Sequence, residues 1–133
     1  MRVKLNPVKK ILQGKRLVII EDSIVRGTTM QARVRTLREA GAKEIHLRVS
    51  CPPIKHPCYY GIDFPFRREL IAGVKTVEEI KEFLALDSLE YLSLDGMLSS
   101  LPSQPENYCT ACFTGRYSIQ PPHQEVSKYR LER

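Results

Sequence analysis

The clearest hydrophobic pattern lies in the first half of the chain. Residues 16–20 are an arginine followed by four aliphatic residues, which is typical of a strand buried on both faces of a parallel sheet. After Gly27, apolar residues recur at helical spacing as far as Gly41, which predicts a helix ended by a left-handed cap. Residues 45–49 alternate between apolar and polar, as in a half-exposed strand. We therefore predict one strand–helix–strand unit with parallel strands.

The sequence pattern of the second half of the chain predicts shorter helices and strands. In order, these are a loop over residues 51–65, a short helix over residues 66–72 ended by Gly73, a helix opened by the capping box of Thr76 and Glu79, and a strand over residues 89–94. Beyond residue 101 the sequence turns polar and rich in proline, which predicts an extended tail. We therefore divide the chain into an α/β part over residues 1–101 and a tail over residues 102–133.

Composition narrows the function classes. The chain has 133 residues, of which 42% are hydrophobic and 27% are charged, which excludes disordered and fibrous chains and fits one small globular domain. No apolar run has the length of a membrane span, and the charged N-terminus has no signal-type segment, so we expect a cytoplasmic protein without a membrane partner.

The net charge of +6 comes from basic residues spread along the chain, without interleaved aromatic residues. This pattern favours a solvated surface that attracts small anions over a nucleic-acid interface.

Two acids and a small polar loop follow the first predicted strand. Glu21 and Asp22 come at its carboxyl end, where open α/β sheets bind ligands, and adjacent carboxylates can accept hydrogen bonds from the vicinal hydroxyls of a ribose. Gly27 lets backbone approach a phosphate closely, and the N–H groups of the next turn point at it. Taken singly, the acids could cap a helix and the Gly-Thr-Thr could be an ordinary turn. Together, in this order, they predict a phosphate and ribose site.

The same order of features resembles a known motif. An apolar strand, two acids, a small polar loop and Gly-Thr-Thr form the pattern by which type I phosphoribosyltransferases bind phosphoribosyl pyrophosphate (PRPP). Residues 22–29 are similar to the version of this motif in the glutamine PRPP amidotransferase family. Parts of residues 52–63, together with residues 69–72, 92–97 and 109–117, are also similar to that family. The resemblance covers nearly the whole chain.

This resemblance implies a fold, a reaction and a set of binding residues. The fold is an incomplete type I phosphoribosyltransferase domain, a Rossmann-like parallel sheet with flanking helices and a C-terminal extended tail. The reaction is the first step of purine synthesis, in which ammonia from glutamine attacks PRPP to form phosphoribosylamine and pyrophosphate. The implied PRPP-binding residues are Glu21, Asp22, Ser23, Ile24, Val25, Arg26, Gly27, Thr28 and Thr29. Glu21, where the family most often has aspartate, and Asp22 are also the implied magnesium ligands.

The four cysteines indicate metal binding or catalysis more than disulfides in a cytoplasmic chain. Cys109 and Cys112 form a C-x-x-C, which by itself could be half of a zinc site, part of an iron–sulfur site or a pair of buried reduced thiols. The resemblance implies a four-iron, four-sulfur cluster bound by Cys58, Cys109 and Cys112, with its fourth ligand upstream of this chain. We expect Cys51, beside two prolines at a strand end, to be structural.

The resemblance also implies further sequence and partners. A glutaminase domain and the first strands of the fold would precede this segment, so we expect a C-terminal part that is inactive alone, from a homotetramer inhibited by purine nucleotides. Two alternatives remain open: a salvage phosphoribosyltransferase, which the three matched cysteines disfavour, and a non-catalytic module that binds PRPP or nucleotides. No catalytic residue is predicted, because His46, His56 and His123 have no nucleophile or acid at an informative spacing. His46 is expected to face solvent.

Overall fold

The chain forms a three-stranded parallel sheet. The computed structural model describes residues 8–63 and 66–119. Its strands are β1 (Arg16–Glu21), β2 (Glu44–Val49) and β3 (Ser88–Tyr91), and their order across the sheet follows their order in the chain. Both neighbouring pairs are parallel, which confirms the predicted strand–helix–strand unit and the α/β class. His123 lies outside the described residues.

Helices connect and flank these strands. Among the described residues they are α1 (Lys9–Leu12), α2 (Thr28–Glu39), α3 (Ile71–Val74), α4 (Val77–Phe83), α5 (Leu94–Ser99) and α6 (Ala111–Thr114), with 3-10 turns at Arg67–Glu69 and Pro105–Asn107. Helix α2 links β1 to β2, and α4 leads into β3. No helix in this part of the chain has the length and apolar character needed to cross a membrane.

The hydrophobic core lies on one face of the sheet. Ile45 and Leu47 project from β2, Val34 from α2 and Ile80 from α4, while Leu84 directly follows α4. All five are essentially inaccessible to solvent. The apolar stripe predicted for α2 is therefore confirmed as its buried side. This packing fixes the first turn of α2 next to the carboxyl end of β1, which is where the candidate site lies.

The opposite face of the sheet is open and partly polar. Val18 and Ile20 of β1 are 64% and 69% exposed, so the predicted burial of this strand on both faces is wrong. The reason is that β1 is an edge strand and the helices of the described chain that build the core pack on the other face. On β2, His46 is half-buried rather than solvent-facing, because its ring contacts Ser88 Oγ at 2.9 Å and Glu44 Oε2 at 3.1 Å.

Two predicted element boundaries are corrected by local hydrogen bonding. Residues 66–72 do not form one helix: a 3-10 turn is followed by α3, which contains Gly73 instead of ending before it. The strand predicted over residues 89–94 ends at Tyr91. Ser93 Oγ accepts a hydrogen bond from the backbone N–H of Gly96 at 3.0 Å, and this cap starts α5 where the sequence pattern suggested continued strand.

The capping box predicted for α4 is present. Thr76 Oγ1 accepts from the Glu79 N–H at 3.2 Å, and the Thr76 N–H donates to the Glu79 carboxylate at 2.6 Å. The reciprocal bonds satisfy two backbone donors at the helix start. The Glu79 carboxylate also accepts from the Thr76 hydroxyl at 2.9 Å. The bonds donated to this carboxylate by the Thr76 N–H and hydroxyl lower the pKa of Glu79, because both favour its ionised form.

The predicted tail is not extended throughout its described part. It contains the 3-10 turn at Pro105–Asn107 and helix α6, which is followed by Gly115 with a left-handed φ of +75°. The N–H groups of Lys55 and His56 both donate to the Cys112 carbonyl at 3.0 Å. These bonds attach α6 to the loop after β2. The division at residue 101 stays a prediction, and residues 120–133 lie outside the described chain.

Asp87 links the start of β3 to two other elements, and its removal tests the electrostatics of the fold. Its Oδ2 accepts from the Ile45 N–H and from Arg38 Nη2, both at 2.6 Å. The backbone bond, followed by the guanidinium, lowers the pKa of Asp87. We expect Asp87→Asn to reduce the free energy of unfolding by about 1 kcal/mol at neutral pH, a value reduced by the partial exposure of the ion pair.

The pH dependence of that loss has a definite sign. Because folding lowers the pKa of Asp87, its stabilisation is complete above the unfolded-state pKa and is lost as the pH falls through the folded-state pKa. Urea unfolding of both proteins should therefore show a difference at neutral pH that shrinks well below the ordinary pKa of 3.8. An equal difference at both pH values would contradict this role for Asp87.

Candidate functional site

A cleft of about 300 Å³ opens where β1 ends and α2 begins. Eight of the nine residues predicted for the phosphate and ribose site line it, together with two that were not predicted. The lining is Glu21, Ser23, Ile24, Val25, Arg26, Gly27, Thr28, Thr29, Met30 and Arg33. The parallel sheet explains this placement, since the carboxyl ends of its strands and the starts of the following helices share one edge.

Gly27 shapes the loop at the bottom of this cleft. Its φ is +77°, in the left-handed region, and it directly precedes α2. A Cβ atom built on it would lie 2.8 Å from Ile71 Cδ1. Only glycine meets both requirements without strain. The loop backbone consequently lies tight against the core and faces the cleft without an intervening side chain.

The first turn of α2 offers several hydrogen-bond donors to the cleft. Its first N–H groups have no partner within the helix, and the exposed hydroxyl side chains of Thr28 and Thr29 lie beside them. The turn contains no acidic residue, so the positive end of the helix dipole is not cancelled locally. These features together suit a phosphate group.

Two arginines of the lining are paired with acids. Arg26 Nε donates to Glu69 Oε2 at 3.1 Å, and Arg33 forms an ion pair with the Glu21 carboxylate. The sequence analysis missed Arg33, although a usable signal existed. It lies four residues after Thr29 on the predicted helix, and residues with that spacing share a helix face.

The two acids of the motif do not converge on the cleft. Glu21 lines it, whereas Asp22 lies outside the lining, is exposed, and accepts a hydrogen bond through Oδ1 from the Ser23 N–H at 2.5 Å. Glu21 is the last residue of β1, and Asp22 follows the strand. The expectation that both carboxylates bind one ribose stays a prediction.

The site suits a magnesium ion that binds together with a phosphate ligand. In the described parts of the chain, no three His, Cys, Asp or Glu side chains are grouped to form a ready-made metal site. Mg²⁺ commonly binds through one or two carboxylates plus substrate phosphates and waters. Glu21 in the cleft and the adjacent, exposed Asp22 are carboxylates of that kind.

The three cysteines assigned to a cluster lie near one apolar patch. Cys58 and Cys112 pack against buried Ile54 and Leu70, while Cys109 is exposed. Burial raises the pKa of Cys112, and the neighbouring thiols of Cys109 and Cys58 raise it further. The fold therefore brings the three thiols into one neighbourhood, but over residues 8–63 and 66–119 they do not form a ready-made group of three ligands.

Tyrosine rings cover the side of this region around Cys58. The Tyr117 ring stacks edge-on with Tyr59 at 5.1 Å between ring centroids, and its hydroxyl donates to the Pro57 carbonyl at 2.7 Å. Burial raises the pKa of Tyr117 to about 12. The sequence analysis did not anticipate these rings beside the cysteines.

Cys51 belongs to different surroundings. It packs against the main core, and its Sγ donates to the Pro52 carbonyl at 3.3 Å. Burial, with smaller contributions from Cys112 and Asp22, raises its pKa to about 11. Its structural role stays a prediction.

Comparison with known proteins gives consistent matches. A family model described as a phosphoribosyl transferase domain matches residues 3–82. The chain is 51% identical over 131 residues to an amidophosphoribosyltransferase of Synechococcus elongatus, covering 98% of this chain and 26% of the relative. It is 52% identical over 121 residues to a chloroplastic amidophosphoribosyltransferase of Vigna aconitifolia, covering 91% and 25%. The chain thus spans about a quarter of the length of these curated relatives.

Solved structures show the same likeness. The glutamine PRPP amidotransferase of B. subtilis complexed with ADP and GMP superposes with a TM-score of 0.83 at 45% identity, over 95% of this chain and 29% of that one. A structure described as the allosteric regulatory enzyme of purine biosynthesis superposes with a TM-score of 0.83 at 44% identity, over 95% and 28%.

Proposed function

Because the chain belongs to the phosphoribosyltransferase family, we propose that its cleft binds PRPP for an amidophosphoribosyltransferase. That enzyme would convert PRPP and glutamine into phosphoribosylamine, pyrophosphate and glutamate, at the start of purine biosynthesis. The observation that carries the proposal is the single cleft lined by eight residues of the motif, at the N-terminus of α2. The identity to amidophosphoribosyltransferases supports the reaction class.

The cleft would act mainly by positioning. The 5′-phosphate binds at the Gly27 turn, where Thr28 and Thr29 donate hydroxyl hydrogen bonds and the helix end supplies N–H groups. The ribose then extends towards Glu21, which can accept from its hydroxyls. Fixed charges and orientation supply most of the rate enhancement for a displacement with an oxocarbenium-like centre. Magnesium bound with the pyrophosphate would neutralise charge on the leaving group, held by Glu21 and Asp22.

The rest of the enzyme is proposed to lie outside this segment. The relatives are about four times as long as the stretch that they share with this chain. We propose that the other three quarters supply ammonia from glutamine and the remaining strands of the fold. The 133 residues would then provide the PRPP site without carrying the whole reaction.

Regulation, assembly and location follow the family in this proposal. The solved B. subtilis relative is described as a complex with ADP and GMP, which supports feedback inhibition by purine nucleotides.

We propose a homotetramer in the cytoplasm, where reduced thiols persist. The Vigna aconitifolia relative is chloroplastic by name, so the compartment is to be tested by localisation of the tagged protein in its own cell.

A four-iron, four-sulfur cluster is the proposed occupant of the cysteine region. Cys58, Cys109 and Cys112 would bind it, with a fourth ligand from outside this chain. Their common neighbourhood and the apolar patch of Ile54 and Leu70 support this proposal. Such a cluster would link α6 to the loop after β2 and so stabilise the fold.

Replacing Thr29 by valine tests the phosphate site. The change removes one hydroxyl donor from the first turn of α2 and preserves the shape of the side chain. We expect the affinity for PRPP, measured by titration calorimetry with Mg²⁺, to fall about tenfold, as for the loss of one hydrogen bond to a charged group.

Thr36→Val is the matched control. Thr36 lies on the same helix outside the cleft, and its Oγ1 donates to the Ala32 carbonyl at 2.9 Å. This variant should bind PRPP as the parent chain does. Equal losses in the two variants would show that the Thr29 effect comes from the helix and not from the cleft.

A further inference from the structure

Glu21 is an unusual residue for an anion-binding cleft. It is the one acid among the ten residues that line the cleft of the described chain. Its side chain is only 24% exposed, so solvent screens its negative charge incompletely. An unpaired carboxylate at this position would repel a phosphorylated ligand.

Arg33 pairs with this carboxylate from across the cleft. Its Nη1 contacts Glu21 Oε2, and its side chain is 44% exposed. Glu21 ends β1 and Arg33 lies in the second turn of α2, so the ion pair spans the gap between the strand and the helix. Both residues line the same cleft.

We propose that Arg33 is a positioning residue for Glu21. Its guanidinium cancels the charge of the carboxylate and holds it on the helix side of the cleft. One Glu21 oxygen is occupied by this contact, and the other can accept from a sugar hydroxyl. Arg33 thereby lets a phosphate and a hydroxyl-binding carboxylate share one small site. The inference rests on the proposed function, because PRPP is the ligand that carries both groups.

A direct contact between Arg33 and a phosphate is the competing explanation. The two roles predict different behaviour when Glu21 is neutralised. If Arg33 acts through Glu21, its removal matters only while the carboxylate is charged. If it binds phosphate itself, its removal weakens binding in either background.

A double-mutant cycle on the 133-residue chain separates these roles. The variants are Arg33→Met, Glu21→Gln and the double variant, titrated with PRPP in the presence of Mg²⁺. We expect Arg33→Met to weaken PRPP binding about tenfold, since it leaves an uncompensated charge beside the ligand. The double variant should bind within about threefold of Glu21→Gln.

Two further variants serve as controls for the double-mutant cycle. Arg33→Lys keeps the positive charge and should bind within about threefold of the parent chain. Arg35→Met removes an arginine of the same helix that pairs with Glu39, away from the cleft, and should leave PRPP binding unchanged. Circular dichroism melts identify any variant that fails to fold, and Arg33→Gln replaces Arg33→Met in that case.

The outcomes distinguish the two proposals. A double variant that binds about tenfold more weakly than Glu21→Gln overturns the positioning role, as does an Arg33→Met variant with unchanged affinity. A folded parent chain that does not bind PRPP overturns the proposed function itself. Recovery of binding in the double variant supports both.

Discussion

Replacing Gly27 by valine should abolish PRPP binding and lower the free energy of unfolding by about 2–4 kcal/mol. Two separate effects reduce the free energy of unfolding at this position. A β-branched residue is strained at a φ of +77°, and the new side chain would overlap Ile71, whose Cδ1 lies 2.8 Å from the Cβ position. Either the buried Ile71 side chain or the loop must then shift, and the strained turn displaces the donors at the start of α2. Urea unfolding and calorimetry with PRPP measure the two effects.

Gly14→Val separates backbone strain from the clash. Gly14 also has a left-handed φ, of +70°, but nothing lies within 4 Å of its Cβ position. This control should cost about 1–2 kcal/mol from strain alone and should leave PRPP binding intact. Similar losses of stability in both variants, with binding retained in Gly27→Val, would refute the role given to the Gly27 turn.

Cys112→Ser should prevent assembly of the proposed iron–sulfur cluster. Serine keeps the size of the side chain but removes the thiolate that iron requires. The chain would be reconstituted without oxygen from iron, sulfide and a small thiol that can supply the fourth ligand. The parent chain should then bind about four iron atoms and gain visible absorption, whereas the variant should do neither.

Cys51→Ser is the control for this experiment. Cys51 packs against the main core instead of the patch around Cys112, so its loss should leave the iron content unchanged. Iron loss in Cys51→Ser as large as in Cys112→Ser would make Cys51 a ligand. A parent chain that takes up neither iron nor sulfide would contradict the proposed cluster.

Elements with strong local signals were predictable from the sequence. The apolar stripe of α2 and the capping box at Thr76 each depend on residues a few positions apart, and both are present. The end of β3 was not predictable from apolar alternation, because the Ser93 cap competes with strand continuation. The exposure of Val18 and Ile20 depends on what packs against the outer face of the sheet, which their own sequence pattern does not encode.

The candidate site was predictable where it is contiguous. Residues 23–29 form one loop and helix start, so their order in the sequence sufficed to place them together. Arg33 was missed although its four-residue spacing from Thr29 places it on the same face of α2. Asp22 was placed with Glu21 because they are neighbours in sequence, whereas in the structure Glu21 lines the cleft and Asp22, just beyond the strand, does not.

Titration of the folded chain with PRPP in the presence of Mg²⁺ tests the central claim most directly. The account predicts saturable binding of one PRPP per chain that persists when duplex DNA is added. The contradicting result is a chain, shown to be folded by circular dichroism, that gives no heat with PRPP but binds DNA with an affinity that falls steeply with salt. That result would contradict the proposed PRPP site. It would indicate instead that the basic residues behind the net charge of +6 form a nucleic-acid-binding surface.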